Sequence, residues 1–482
     1  MTIPPELTIR DVLRGSTTLF RRSAEQESNP EVLKVRGEVH RKLVLDSINY
    51  FLSKIIPGLM GFLSVLVFVR LLGYEEYGHY AVVFAVVMAS ASGMAGWLSQ
   101  GILRFQSQNT GSHAHGLFST AANLGTTLSL ALGAAGVGIG LILSGAQHSL
   151  GALLSIALFA GLLVYTLSLA RFQAELESKR VLQFEIIRSI TGFIIPVLIL
   201  VLTPFRTYGT LLFGVAIGYM VPLLARHLFA HKGSRLHWIP RVTGNPEHWR
   251  LLAKLWHFGW PVGVWMLCQQ GLLVSDRLFI QRYSGFSAAG IYSSMYDVVV
   301  RSFSLLFMPV TLAVHPLVMD RWNAGRQQHA LHAIRSGVKY QLLMFIPIGG
   351  VLIAVAPWVS RMVLGRPIPQ AAEIVLPLAI SGFLWQMSLL AHKPLEILCE
   401  TKRMLVGMSA ALAVNILGNW LLIPVYGYKA AAYLAVGSSL TYLLSILVLT
   451  PRARFIEALQ IGSVTGAKMH APASDECVVG LL

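Results

Sequence analysis

The chain has 482 residues, of which 55% are hydrophobic and only 12% charged, with a net charge of +16. A soluble domain carries roughly 25% charged residues, so this composition cannot cover a water-facing surface, and lipid must be the solvent for much of the chain. The positive balance would suggest a polyanion partner in a soluble protein, but cytoplasmic loops of membrane proteins collect Lys and Arg for their own reasons, and no nucleic-acid partner is expected.

Residues 1–49 are polar and mixed in charge, with Arg21 and Arg22 adjacent. They predict a cytoplasmic N-terminal segment. The first apolar run begins only at about Phe51, so no cleavable leader is expected. A helix crosses the hydrocarbon with about 20 largely apolar residues. Such runs recur at 51–72, 80–101, 117–144, 150–170, 184–203, 208–230, 255–280, 290–317, 337–359, 371–392, 404–424 and 428–450. They are too continuous for barrel strands, which alternate. The prediction is an all-α integral membrane protein of about twelve spans. Residues 50–230 form one six-helix lobe and 255–450 a second, joined by a cytoplasmic loop over 231–254 and followed by a cytoplasmic tail over 451–482.

Most Lys and Arg fall on the side of the two termini. The opposite ends and loops hold only Arg70, Arg206, Arg277, Arg282, Arg361, Arg366 and Lys429. The positive-inside bias therefore predicts both termini in the cytoplasm and also explains the high positive charge.

An internal repeat supports the division into lobes. Arg70-Leu71-Leu72-Gly73, then Tyr77-Gly78-His79-Tyr80, closes the first span. Arg282-Tyr283-Ser284-Gly285, then Ala289-Gly290-Ile291-Tyr292, closes the seventh, 212 residues later. Both read R-x2-G-x4-G-x-Y, a tight turn in which glycine relaxes the backbone between two helix ends. Six spans separate the copies. An even number preserves orientation, so the lobes are expected to be related by an axis along the membrane normal, with a cleft between them.

These residues carry a resemblance. Asp276-Arg277-Leu278-Phe279-Ile280 with Ser287-Ala288-Ala289-Gly290-Ile291-Tyr292-Ser293 resembles the turn after the seventh helix in polysaccharide transporters of the multidrug/oligosaccharidyl-lipid/polysaccharide flippase superfamily. The run Asn415-Ile416-Leu417-Gly418-Asn419-Trp420 through Tyr426-Gly427-Tyr428-Lys429 is similar to that family's connection between helices eleven and twelve. The first turn, Arg70 to Gly78, is similar to its first. The resemblance implies a two-lobed, V-shaped flippase in the cell inner membrane, working by alternating access. Its cargo would be an undecaprenyl-pyrophosphate-linked repeat unit for O-antigen, capsule or exopolysaccharide. A glycan polymerase and a chain-length regulator would be its partner proteins. Two departures stand out. Drug-exporting relatives usually carry an acidic residue in the first helix, and residues 51–72 contain none. Lipid-II flippases usually have two further helices beyond the twelve counted here.

A pyrophosphate head group crossing the hydrocarbon needs cations in a polar cleft to offset its lost hydration. The candidates are Lys54, Arg104, Arg188, Arg277 and Arg301. Asp297 and Arg301, at i and i+4, fit an ion pair on one helix face. That pair is either a functional charge in a span or a self-satisfying structural one. Lys54 either faces the cleft or snorkels to the interface. Asp276 and Arg277, deeper than Arg282 by five or six residues, fit a gate or an anchor at the outer end. Arg70, Arg282 and Arg361 read as interfacial anchors. His227 and His231 have the spacing of a zinc motif, but Leu228 stands where its Glu would be, so they read as a basic rim. His315 reads as a buried polar contact or a proton site. Cys268, Cys399 and Cys477 lack ligand or disulfide spacing and read as free thiols. No metal, cofactor or catalytic residue is predicted. Two other readings remain, a multidrug/cation antiporter with an acidic cleft and a membrane-embedded glycan ligase or glycosyltransferase with catalytic acids in a large outer loop.

Overall fold

A computed structural model of the chain describes residues 30–106, 112–145, 149–229, 245–365, 368–398 and 400–450. Six helices form the first half: α1 (Pro30–Leu72), α2 (Tyr74–Phe105), α3 (Ser112–Leu143), α4 (Ser149–Ala174), α5 (Ser178–Leu202) and α6 (Tyr208–Phe229). The second half holds α7 (Pro246–Asn323), α8 (Gln327–Leu364), the short α9 (Pro369–Glu373), α10 (Val375–Ala391), the short α11 (Lys393–Ile397), α12 (Thr401–Tyr426) and α13 (Tyr428–Leu449). Ten of these stretches are long and apolar enough to cross a membrane, and the bent α8 makes eleven. Because α7 is two helices joined at Gly285, the described residues contain twelve passages.

The breaks have local causes. Gly285 (φ 82°, ψ 172°) and Gly73 (φ 81°, ψ 175°) adopt the same conformation at equivalent places in the repeat. A positive φ costs glycine nothing and a side chain much, so both turns need glycine. Helix α8 bends by 68° between Leu352 and Ala354. The bend falls four residues before Pro357, where the proline ring displaces the carbonyl and removes a hydrogen bond. The predicted span 371–392 is observed as α9 to α11, interrupted at Ile374 and His392, with Pro394 just beyond the second break. The first span is longer than its apolar run, since α1 begins at Pro30. The α7 helix begins inside the stretch 231–254 expected to be a loop.

Two faces of the bundle can be distinguished. The turn face carries Gly73, Gly285 and Gly427; the termini face carries residue 450 and the start of α7. The two halves meet along α2 and α7. On the turn face, a Cβ at Gly78 would fall 1.9 Å from the Phe286 carbonyl oxygen, and one at Gly290 would fall 1.9 Å from the Tyr74 carbonyl oxygen. Residues 74 and 286 are 212 apart, as are 78 and 290. Each copy therefore makes the other's contact, as an isologous interface about a pseudo-two-fold axis requires. Toward the termini face, Trp97 packs against Trp256 at 5.2 Å and Phe105 against Phe258 at 5.3 Å.

Lipid supplies no hydrophobic drive between helices, so close packing and interhelical hydrogen bonds hold each half together. Thr191 of α5 donates to the Gly218 carbonyl of α6 at 2.9 Å. Ser381 of α10 donates to the Ala435 carbonyl of α13 at 3.0 Å. Large apolar side chains such as Leu132, Ile139, Ile142, Ile346, Val351 and Val425 are exposed on the outside of the bundle, where acyl chains would cover them.

Candidate functional site

Between the halves lies a cavity of about 470 Å³. Helices α1, α2, α5 and α6 line one side; both arms of α7 with α10, α12 and α13 line the other. Its charged lining residues are Arg188, Asp276, Arg277, Asp297 and Arg301. All five had been singled out in the sequence as charges inside spans, and the fold brings them together from three different stretches of helix, α5 and the two arms of α7.

Their partners sort them. Arg277, on the first arm of α7, donates Nη2 to Asp297 Oδ1 at 3.0 Å and Nε to Ser293 Oγ at 3.0 Å. Its guanidinium lies 6.0 Å from the Tyr296 ring. The expected pairing of Asp297 with Arg301 is therefore corrected: Asp297 serves Arg277 across the α7 turn. Asp276 is likewise not tied to its neighbour Arg277. It accepts from Tyr292 at 2.6 Å, Asn415 at 3.0 Å and Asn419 at 2.7 Å. Three neutral donors from two helices hold that carboxylate, while Ser275 bonds Asn415 beside it. Arg188 of α5 pairs with Glu185 at 3.0 Å and lies 5.6 Å from each of the Tyr165 and Tyr219 rings, a double cation–π seat.

Arg301 differs from the other two arginines. Among the described residues it is the one cavity cation with no acidic partner. Its guanidinium rests against α1, where a Cβ on Gly61 would fall 2.1 Å from Nη1. Glycine at 61 gives the planar head room at the boundary of the two halves. Two neutral polar side chains of the first arm, Gln269 and Gln270, line the same space.

Two expected cleft cations lie elsewhere. Lys54 is half-buried on α1, one turn nearer the termini than Pro57, where the α1 lining of the cavity begins. Arg104 lies in the last turn of α2, beyond the Trp97–Trp256 contact, and is not part of the lining. In both cases the helix carries the residue past the cavity toward the termini face. His227 and His231 fall outside the residues whose side chains are described, as do Cys399 and Cys477; Cys268 is a free thiol.

The cavity is shut on the turn face. Arg70 Nη2 donates to the Met362 carbonyl at 2.5 Å and Tyr74 Oη to the Leu364 carbonyl at 2.6 Å, tying α1 and α2 to the end of α8. The His79 ring stacks on Phe286 with centroids 3.4 Å apart and faces Tyr208 at 5.2 Å. Arg70, expected as an interfacial anchor, thus also bonds across the two halves. Of the aromatic residues inside the cavity, Tyr77 and Tyr80 belong to the first copy of the repeat, whereas Tyr219 and Tyr296 gave no signal in the sequence, because a tyrosine in a span is as readily an interfacial belt residue.

A family model described as polysaccharide biosynthesis protein matches residues 43–322. No curated protein matches the chain by sequence. Among solved structures, "Lipid II flippase MurJ, inward closed conformation" is similar with a TM-score of 0.66 at 14% identity, over 87% of this chain and 91% of the other. An inward-facing multidrug resistance MATE family transporter of the MOP superfamily gives 0.63 at 13% identity, over 85% and 98%. An outward-facing one gives 0.56 at 11% identity, over 87% and 96%.

Proposed function

The chain belongs to the polysaccharide biosynthesis protein family, and on that premise we propose that it flips a polyprenyl-pyrophosphate-linked oligosaccharide across the membrane by alternating access. The observation that carries this reading is Arg301. A half-buried guanidinium in the cavity with no carboxylate beside it leaves its charge available to an anion that enters. The cavity lining holds three arginines against two aspartates, and both aspartates are engaged, so an arriving anion meets a positive surplus. A guanidinium offers paired donors that match phosphate oxygens. The polyprenyl tail need not enter; it stays in lipid while only the head group crosses roughly 30 Å of hydrocarbon.

In this reading the termini face is cytoplasmic, the membrane is the cell inner membrane, and the cargo feeds O-antigen, capsule or exopolysaccharide synthesis. Arg301 receives the pyrophosphate between the halves. Arg277 and Arg188, already compensated, set a positive field rather than bind directly. Opening requires release of the bonds of Arg70, Tyr74 and His79 on the turn face, while the α2–α7 seam closes further toward the termini.

The cation-antiporter alternative would be favoured by surplus acid in the cavity, and the surplus has the opposite sign. A ligase would need free catalytic acids, whereas Asp276 and Asp297 are each spent on structural partners. The test is a deletion strain. Lipid-linked repeat units should accumulate on the cytoplasmic leaflet and surface glycan should fall. Normal delivery with no accumulation would remove the assignment.

A further inference from the structure

A second polar cluster lies apart from the cavity, at the termini end of α10. Lys393 is fully buried. Its Nζ donates to Glu396 Oε2 at 2.7 Å. His392 Nε2 lies 3.0 Å from Glu396 Oε1. On the other side of the ring, Nδ1 lies 3.1 Å from the Tyr442 hydroxyl of α13, and Trp265 Nε1 of α7 donates to that same oxygen at 3.2 Å. His315, on the second arm of α7, brings Nδ1 to 3.9 Å from Glu396 Oε2 and is 25% exposed, the most open member of the group.

The hydrogen-bond directions are fixed by elimination. An indole N–H only donates, so the Tyr442 oxygen accepts from Trp265 and its own hydrogen is free to go to His392 Nδ1. The ring then carries its proton on Nε2 and gives it to Glu396, which also accepts from Lys393. Trp265, Tyr442, His392 and Glu396 thus form one polar chain, closed by the 3.0 Å approach of His392 Nε2 to Glu396 Oε1, and the lysine and the carboxylate cancel in charge. Besides the more open His315 ring, one position can still take a proton, Nδ1 of His392. If it does, the Tyr442 hydroxyl can no longer donate there and must turn, since it would then face two donors.

Tyr442 links this event to the cavity. Its ring stacks on Trp385, with centroids 5.7 Å apart at 25°. Trp385 lines the cavity, as do Ser381 and Gly382 a turn earlier on α10. The helix between them is broken at His392 and restarted at Lys393–Pro394, so α11 can move relative to α10 without melting a continuous helix. The other helices packed here add no further charge to the cluster. Helix α12 contributes Met404 and Met408, and α8 contributes Ala333 and Ile334, while its Arg335 and Lys339 are exposed.

We infer that His392, seated between Glu396 and Tyr442, is a proton-binding site whose occupancy is transmitted through the Tyr442–Trp385 stack to the cavity wall. A structural clasp for a broken helix would need the Lys393–Glu396 bond alone; it would not need a histidine whose second nitrogen is aimed at a hydroxyl that reports to the cavity. The site requires no particular cargo, so it stands or falls separately from the flippase reading.

The test uses the full chain in lipid nanodiscs. His392→Gln keeps an amide N–H in place of Nε2–H toward Glu396 and cannot titrate. Lowering the pH from about 8 to about 5, the range in which a histidine changes charge, should load the wild-type chain with about one proton more than His392→Gln, read with a pH-indicator dye. Tryptophan emission should change over the same range in the wild type and not in the variant. Tyr442→Phe, which deletes one hydroxyl and keeps the stack, should also lose the emission change. Equal proton uptake by wild type and His392→Gln would overturn the inference. If His392→Gln does not fold, an emission change that persists unaltered in Tyr442→Phe would overturn it instead.

Discussion

Arg277 donates to Asp297 at 3.0 Å across the α7 turn, and that bond leaves Arg301, one helical turn beyond Asp297, without an acid. The asymmetry extends to the repeat. The positions 212 residues before Asp276, Arg277, Asp297 and Arg301 are Ser64, Val65, Ala85 and Ala89. The scaffold of the two halves is shared, but these charges were placed in only one of them. The second half thus carries the uncompensated cation, while Arg188 on the facing wall is paired with Glu185, so an ionic head group is held mainly on one wall.

Arg301→Ala should fold and reach the membrane but lose most glycan export. A hydrogen bond to a charged group contributes about 1.5–3 kcal/mol, or roughly 10- to 100-fold. Arg301→Lys should recover part of it, as a point charge without the paired donors. Surface glycan in a complemented deletion strain checks both.

Gly61→Val should mimic Arg301→Ala although it removes no charge, because a Cβ there would overlap Nη1. The same substitution in an Arg301→Ala background should cost nothing further. Non-additivity of the pair in export is the measurement.

Asp297→Asn should lower thermal stability, since it strands a buried guanidinium. In soluble proteins such a loss costs about 3–5 kcal/mol. Replacing both members, Arg277→Met with Asp297→Leu, should recover much of the melting temperature without restoring function. Thermal unfolding of the purified variants distinguishes these cases.

Gly78→Val should hold the turn face apart, because the added side chain meets the Phe286 carbonyl. Spin labels at Glu75 and Arg282 should then report a longer distance than in the wild-type background, by double electron–electron resonance.

The membrane class, the number of spans and the repeat were legible because they depend on composition and period, which hydrocarbon thickness fixes. The positions of Gly73, Gly78, Gly285 and Gly290 in the motif already marked the two turns and the seam between them. Pairing was not legible. Asp297 and Arg301 share a helix face in sequence, but tertiary contact with the first arm of α7 captures the aspartate first. Lys54 and Arg104 lie near the termini-side ends of their spans, as expected, but the cavity lining begins farther in, at a depth set by tertiary packing that apolar runs do not encode. The cluster of His392, Lys393 and Glu396 looked like a polar helix end, and only the packing of Tyr442 and Trp265 over it reveals it as buried.

The central claim is that Arg301 receives a pyrophosphate. The direct measurement is binding of a polyprenyl pyrophosphate, with the matching polyprenyl monophosphate as reference, to wild-type and Arg301→Ala protein in nanodiscs. The account predicts that the wild type prefers the pyrophosphate and that Arg301→Ala binds it at least about tenfold more weakly, a loss of about 1.4 kcal/mol. Equal affinity of the two proteins for the pyrophosphate would contradict it.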